Sequence, residues 1–113
     1  MKLKDKSCTT AVKGTLALDK TECEKLLKQL DKNWKLTNES TRLRREFKFK
    51  NFKKPWKLLN LIAELSEEQK HHPEISFGWG HLEVEIWSHN IGGLVESDFI
   101  LSAKIDELLQ KYA

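Results

Sequence analysis

The spacing of apolar residues changes period several times along the chain, and each change predicts an element. Leu18-Asp19-Lys20-Thr21-Glu22-Cys23 reads as a helix start. Asp19 is placed to cap, Glu22 lies three residues on as in a capping box, and Leu18 and Cys23 take the staple positions. Leu26, Leu27 and Leu30 continue an apolar stripe, and this helix is expected to end near Lys32. The period then drops to two. Trp34 and Leu36 alternate with polar residues, as do Leu43, Phe47 and Phe49, with Asn38-Glu39-Ser40 as the turn of a hairpin.

From Lys53 to Gln69 the helical period returns. Pro55 fits only a first turn, so the helix begins close to it. Trp56, Leu59, Ile62, Ala63 and Leu65 mark its buried side, flanked by Leu58 and Leu61, a face wide enough for both a sheet and a second copy of the chain. After Pro73, Ile75, Phe77 and Trp79 alternate with polar or small residues, and Leu82, Val84 and Ile86 follow across a short Gly80-His81 junction. The same parity puts His81, Glu83, Glu85, Trp87 and His89 on the other face of that strand. A loop over Asn90 to Leu94 leads to a last helix, from about Val95 or Ser97 to Lys111, with Phe99, Ile100, Ala103, Ile105, Leu108 and Leu109 as its apolar positions. The order α-β-β-α-β-β-α predicts an α+β fold, a four-stranded antiparallel sheet with three helices packed on one face.

Length and composition narrow the setting. The 113 residues suffice for one domain, expected over residues 16–113, after a loosely ordered N-terminal arm over residues 1–15. Hydrophobic content of 39% with 33% charged residues describes a globular, water-soluble chain. No apolar run approaches the ~20 residues of a membrane span, and no apolar segment follows the basic start, so neither a membrane nor a signal peptide is expected. Cys8 and Cys23 are too few for a disulfide scaffold, and free thiols in a reducing, cytoplasmic setting follow. A net charge of +3 does not call for nucleic acid. The basic run Arg42, Arg44, Arg45, Lys48, Lys50, Lys53, Lys54 is interleaved with acids and reads as a solvated strand face.

Chemistry concentrates in Glu67-Glu68-Gln69-Lys70-His71-His72-Pro73-Glu74 and in His89. Histidine, with an unperturbed pKa of about 6.5, exchanges protons near neutral pH. Pro73 disfavours a helical His72, so the long helix should stop here and leave both imidazoles at its C-terminal end. An acidic residue, His-His-Pro, an aromatic, a further histidine and an aspartate recur in this order as Glu67, His71-His72-Pro73, Trp79, His89 and Asp98, with Ile91-Gly92-Gly93-Leu94, Phe99, Asn33-Trp34 and Leu43 to Phe49 adding to the pattern. This constellation, over roughly residues 16 to 110, resembles the pterin-4a-carbinolamine dehydratases.

The resemblance implies a metal-free and cofactor-free dehydration of a 4a-hydroxytetrahydropterin to quinonoid dihydropterin, in tetrahydrobiopterin recycling. It implies His71, His72 and His89 as the catalytic group. Around them it suggests Glu67, Pro73, Glu74, Trp79, Trp87, Asp98 and Arg45 as pterin-binding candidates. Glu67, one turn before His71, is placed for an i,i+4 contact with it. Trp79 either stacks on the pterin or joins the core. Trp87, on the histidine-bearing parity, would wall the pocket. Asp98 serves the pocket or the start of the last helix. Arg45 either snorkels at a sheet edge or turns its planar fork on a ligand. Family members usually have threonine where this chain has Val95, which cannot cap, so Ser97 or the Asp98 carboxylate would take that role. Partners expected are the pterin and further copies of the chain, as a homodimer or homotetramer.

Two other readings share these residues. Three histidines with Glu67 or Glu74 make a conceivable zinc set, against which adjacent His71 and His72 point apart in extended chain. A non-catalytic interaction module, or coactivator-like dimerisation partner, is the other. An animal member of the resembled family binds the dimer of a homeodomain transcription factor.

Overall fold

The computed structural model describes residues 1–112. Helix α1 covers Lys20–Leu27, strands β1 and β2 cover Lys35–Thr37 and Arg42–Lys48, α2 covers Lys53–Gln69, β3 and β4 cover Glu74–Gly78 and His81–Ile86, and α3 covers Glu96–Tyr112. A short 3-10 turn at Leu3–Asp5 precedes them. The four strands form one antiparallel sheet in the order β1-β2-β4-β3. The predicted α+β architecture and element order are therefore those of the structure.

Alternation decides which face is covered. Leu43 and Phe47 of β2 and Leu82, Val84 and Ile86 of β4 are buried with Cys23 of α1, Leu58 and Ile62 of α2, and Phe99, Leu101 and Ile105 of α3. The other face carries charge, paired crosswise: Arg42 with Glu85 at 3.4 Å, and Arg44 with both Glu83 and Glu46 at 2.6 Å. The hydrogen bond from Arg44 holds the Glu83 carboxyl below the usual range.

Local signals account for most element ends. Asp19 and Glu22 form the reciprocal capping box of α1. This helix stops at Leu27, short of the expected Lys32, and Leu30 is carried in a following turn. Asn38, Glu39 and Ser40 all take positive φ in the β1–β2 loop. The second hairpin turns on Trp79-Gly80, one residue earlier than expected, with Gly80 at φ 79° where an L side chain would be strained. Helix α2 keeps its predicted bounds, but its buried stripe is Pro55, Leu58, Ile62 and Ser66; Trp56 and Ala63 face out. Apolar content on two sides of a helix leaves the choice of inner face to packing, and here it went to the Leu58 side.

The N-terminal segment lies along α3. Leu3 is 5% exposed, Lys4 pairs with Glu107, Lys6 pairs with Glu96, and Lys104 donates to the Lys4 carbonyl. Cys8 N–H donates to the Gln69 side chain, and the Ser97 hydroxyl both accepts from Thr9 N–H and donates to the Thr9 carbonyl.

Candidate active site

Antiparallel pairing of β3 with β4 brings the end of β4 beside the start of β3, where Glu74 stands opposite Glu85. The chain enters β3 directly from the C-terminal end of α2. His71-His72 and Trp87-Ser88-His89 are thereby neighbours, although at least 15 positions apart in the sequence. They line a cleft of about 350 Å³ with Thr10, Ala11, Lys70 and Asn90. That volume is in the range of small-molecule sites.

The approach to the histidines depends on how α2 stops. Lys70 takes the left-handed conformation, φ 54° and ψ 37°. Lys70 N–H then bonds the Glu67 carbonyl and His71 N–H bonds the Ser66 carbonyl, the pair of bonds of a Schellman ending. The reversal takes His71 off the helix. Glu67 consequently does not reach His71 as an i,i+4 partner; its carboxylate meets His72 Nε2 at 2.5 Å, on the exposed side of the cleft.

His71 turns inward instead. Its Nε2 lies 2.6 Å from Asp98 Oδ1, with the imidazole side chain 15% exposed and the aspartate fully buried. The second carboxylate oxygen of Asp98 accepts from the Ser88 hydroxyl at 2.9 Å and from Val95 N–H at 2.8 Å. Asp98 therefore does two things. It closes the first turn of α3 in place of a capping side chain at Val95, and it fixes the His71 ring. Ser97 is not the cap, since its hydroxyl is engaged by Thr9. With Nε2 held by Asp98, Nδ1 is the His71 nitrogen left for a ligand, an arrangement in which a carboxylate sets tautomer and ring orientation.

His89 stacks face to face on Trp87, with ring centroids 4.2 Å apart and planes 2° from parallel. Arg42 covers the other face of the indole at 4.0 Å. Both faces of Trp87 are occupied, so it contributes an edge to the cleft rather than a stacking surface.

The remaining candidates lie elsewhere. Pro73 and Glu74 lead into β3 and do not line the cleft. Trp79 sits at the tip of the β3–β4 hairpin, 69% exposed, at the far end of the strands from the histidines. Arg45 is on the covered face, 8% exposed, with Nη1 2.6 Å from Asp106 and Nη2 3.7 Å from Asp31. Asp106 also accepts from Trp34 Nε1 and Asp31 N–H. Burial nonetheless lifts its pKa above the ordinary value. Arg45 neither snorkels nor faces the histidine cleft. It completes an interior polar network under α3, beside a separate hollow.

Five participants were not singled out as site residues from the sequence: Ser88, Asn90, Lys70, Thr10 and Ala11. Ser88 had a signal, since it follows Leu82, Val84 and Ile86 on the inward parity, where a hydroxyl needs a buried partner. Nothing local marked Lys70 or the arm residues. Among the described residues, no group of three or more His, Cys, Asp or Glu side chains is arranged to hold a metal ion.

Comparison with known proteins adds an independent line. The family model for pterin 4 alpha carbinolamine dehydratase matches residues 16–108. A Rickettsia bellii protein, provisionally named a pterin-4-alpha-carbinolamine dehydratase, is 47% identical over 106 residues, spanning 94% of this chain and 93% of the relative. A similarly named Rubrobacter xylanophilus protein is 43% identical over 106 residues, spanning 94% and 97%. The crystal structure of a transcriptional coactivator/pterin dehydratase from Brucella melitensis superposes with TM-score 0.75 at 26% identity, covering 81% of this chain and 97% of that one. A pterin dehydratase-like protein identified as a RuBisCO assembly factor in the alpha-carboxysome gives TM-score 0.58 at 25% identity, covering 67% and 88%.

Proposed function

The chain belongs to the pterin-4-alpha-carbinolamine dehydratase family, and from that premise we propose that it dehydrates a 4a-hydroxytetrahydropterin to quinonoid dihydropterin by histidine acid–base catalysis, with recycling of tetrahydrobiopterin as the setting. The observation that carries this reading is the gathering of His71, His72 and His89 in one cleft, with His71 buttressed by the buried Asp98.

Elimination of water across C4a–N5 needs two proton movements. The N5 proton goes to a base, the N5 electron pair forms the C4a=N5 bond, and the C4a hydroxyl leaves as water after taking a proton from an acid. Two histidines in different protonation states suffice. We assign the pair to His71 and His89, and contact with the bound pterin to His72. His71 offers Nδ1 from a ring whose other nitrogen is occupied, and His89 offers both nitrogens. Acid–base help of this kind is worth about 10²- to 10⁴-fold in rate. Glu67 supports the reading as the partner that orients His72. The test is stopped-flow absorbance with freshly generated 4a-hydroxytetrahydropterin. Decay accelerated in proportion to protein concentration is expected, and decay at the buffer rate would overturn the assignment.

The same reading includes self-association. Phe52 and Trp56 at the start of α2 are each 48% exposed, and Trp79 nearby in the chain fold is 69% exposed. Exposed aromatics of this size favour an interface, here a homodimer or homotetramer. Light scattering giving about 13 kDa at micromolar concentration would refute it. These aromatics also favour a second reading, an interaction module in the sense of the coactivator and assembly-factor names carried by the structural relatives. A chain with no dehydratase activity whose aromatic surface still binds another protein would support that one.

A further inference from the structure

The three cleft histidines are held in different ways. His71 and His72 each give one ring nitrogen to a carboxylate. Among the described residues, no side chain or backbone group hydrogen-bonds the His89 ring, and the residue is exposed at the cleft margin. It is nevertheless not left to rotate freely. The parallel stack on Trp87 at 4.2 Å covers one face of the imidazole, and the Arg42 guanidinium, 4.0 Å from the indole centroid, covers the far side of the indole. Arg42 is itself anchored across the strands by Glu85 at 3.4 Å. The order Arg42, Trp87, His89 follows from register. Leu43 and Ile86 are the last paired residues of β2 and β4, so Arg42 and Trp87 fall one step beyond them, on the open face.

We propose that Arg42 and Trp87 are positioning residues for His89: the guanidinium clamps the indole, and the indole fixes the plane of the imidazole. The proposal rests on the reading of His89 as a proton-transfer group. A hydrogen bond would orient the ring by consuming one of its nitrogens. A stack orients it by its face and leaves both nitrogens available to the substrate. The same geometry removes Trp87 as a stacking surface for the pterin, because neither face of the indole is free. Cation–π attraction suits the clamp, since arginine prefers tryptophan among aromatic partners.

The experiment joins a spectroscopic readout to a kinetic one. In protein labelled with ¹³C-histidine, the His89 ring signals are assigned by their absence in His89→Gln. The indole ring current displaces them upfield in the wild type. Trp87→Leu should abolish the displacement and lower kcat by about ten- to a hundredfold, the scale of a misplaced catalytic group, with KM little changed. Trp87→Phe, which keeps a flat ring, should restore most of both. Arg42→Ala should reduce the displacement and lower kcat about two- to fivefold, the factor carried by an exposed cation–π contact.

His89 signals at free-histidine positions in the wild type would overturn the proposal, as would a Trp87→Leu protein that turns over at the wild-type rate. Should Trp87→Leu fail to fold, Arg42→Ala on the solvent face carries the same two readouts and decides the matter. A wild type without dehydratase activity would remove the proposed function. The spectrum would then judge the clamp by itself, supported by a displacement largely kept in Trp87→Phe and lost in Trp87→Leu, and refuted by none in the wild type.

Discussion

Replacing Asp98 by asparagine is the sharpest perturbation of the site, because its consequence follows from three hydrogen bonds. Oδ2 accepts from Val95 N–H and from the Ser88 hydroxyl, while Oδ1 faces His71 Nε2 at 2.6 Å. An asparagine must place its amide oxygen where the two donors are, which puts its NH₂ against His71. Nε2 can then only accept, so the ring proton moves to Nδ1, the nitrogen that Asp98 otherwise leaves for a ligand. A neutral imidazole with Nδ1–H is neither a base there nor an effective acid. The variant should lose most of what one acid–base group supplies, about 10²- to 10⁴-fold in kcat.

Stability should fall far less. All three bonds survive as neutral ones, the one to His71 with its direction reversed, so the cost is about 1–3 kcal/mol, the difference made by charge on the acceptor. Asp98→Ala instead strands Ser88, His71 and the first turn of α3, and should cost about 3–5 kcal/mol. Stopped-flow dehydration gives the rate, thermal melts give the stability, and ¹⁵N spectra of the imidazole give the tautomer directly. A folded Asp98→Asn protein with wild-type turnover would refute the role given to the His71–Asp98 pair.

Three further outcomes are expected. His71→Ala and His89→Ala should each slow dehydration by about ten- to a thousandfold and lose less than the product of the two in combination, because both act on one transition state, while His81→Ala stays near the wild-type rate; circular dichroism checks folding. Lys70→Gly should raise stability by about 1 kcal/mol, or about 4 °C in melting temperature, since a lysine at φ 54° bears a steric cost that glycine does not; a lower melting temperature would contradict this account of the α2 ending. Burial pushes the Cys8 thiol up to about 11, so little thiolate exists at pH 8 and alkylation there should be about a hundredfold slower than for an ordinary thiol, rising tenfold per pH unit until about 11. Mass spectrometry of Cys8 labelling against pH checks it, and fast labelling at pH 8 would show the arm does not cover the thiol.

What the sequence determined by itself is what short-range periodicity encodes. The capping box at Asp19, the bounds of α2 from Pro55 to the His-His-Pro stop, and the alternation of Leu82, Val84 and Ile86 all depend on neighbours within a few residues, so element type and order were legible. The grouping of His71, His72 and His89 was legible only as a resemblance, carried by the spacing of a motif. The partners were decided by the tertiary structure. Glu67 serves His72 rather than His71 because Lys70 reverses the chain between them, and a left-handed lysine has no signature in composition. Asp98 binds His71 because pairing of β3 with β4 sets the start of α3 beside the end of α2. Arg45 lies inside because the carboxylate of Asp106, 61 residues away, meets its guanidinium there. The stack of Arg42, Trp87 and His89 spans two strands and exists only through their register. Contacts between residues distant in the chain are selected by how faces pack and which buried charges find partners, and no local pattern of apolar and polar positions contains that choice.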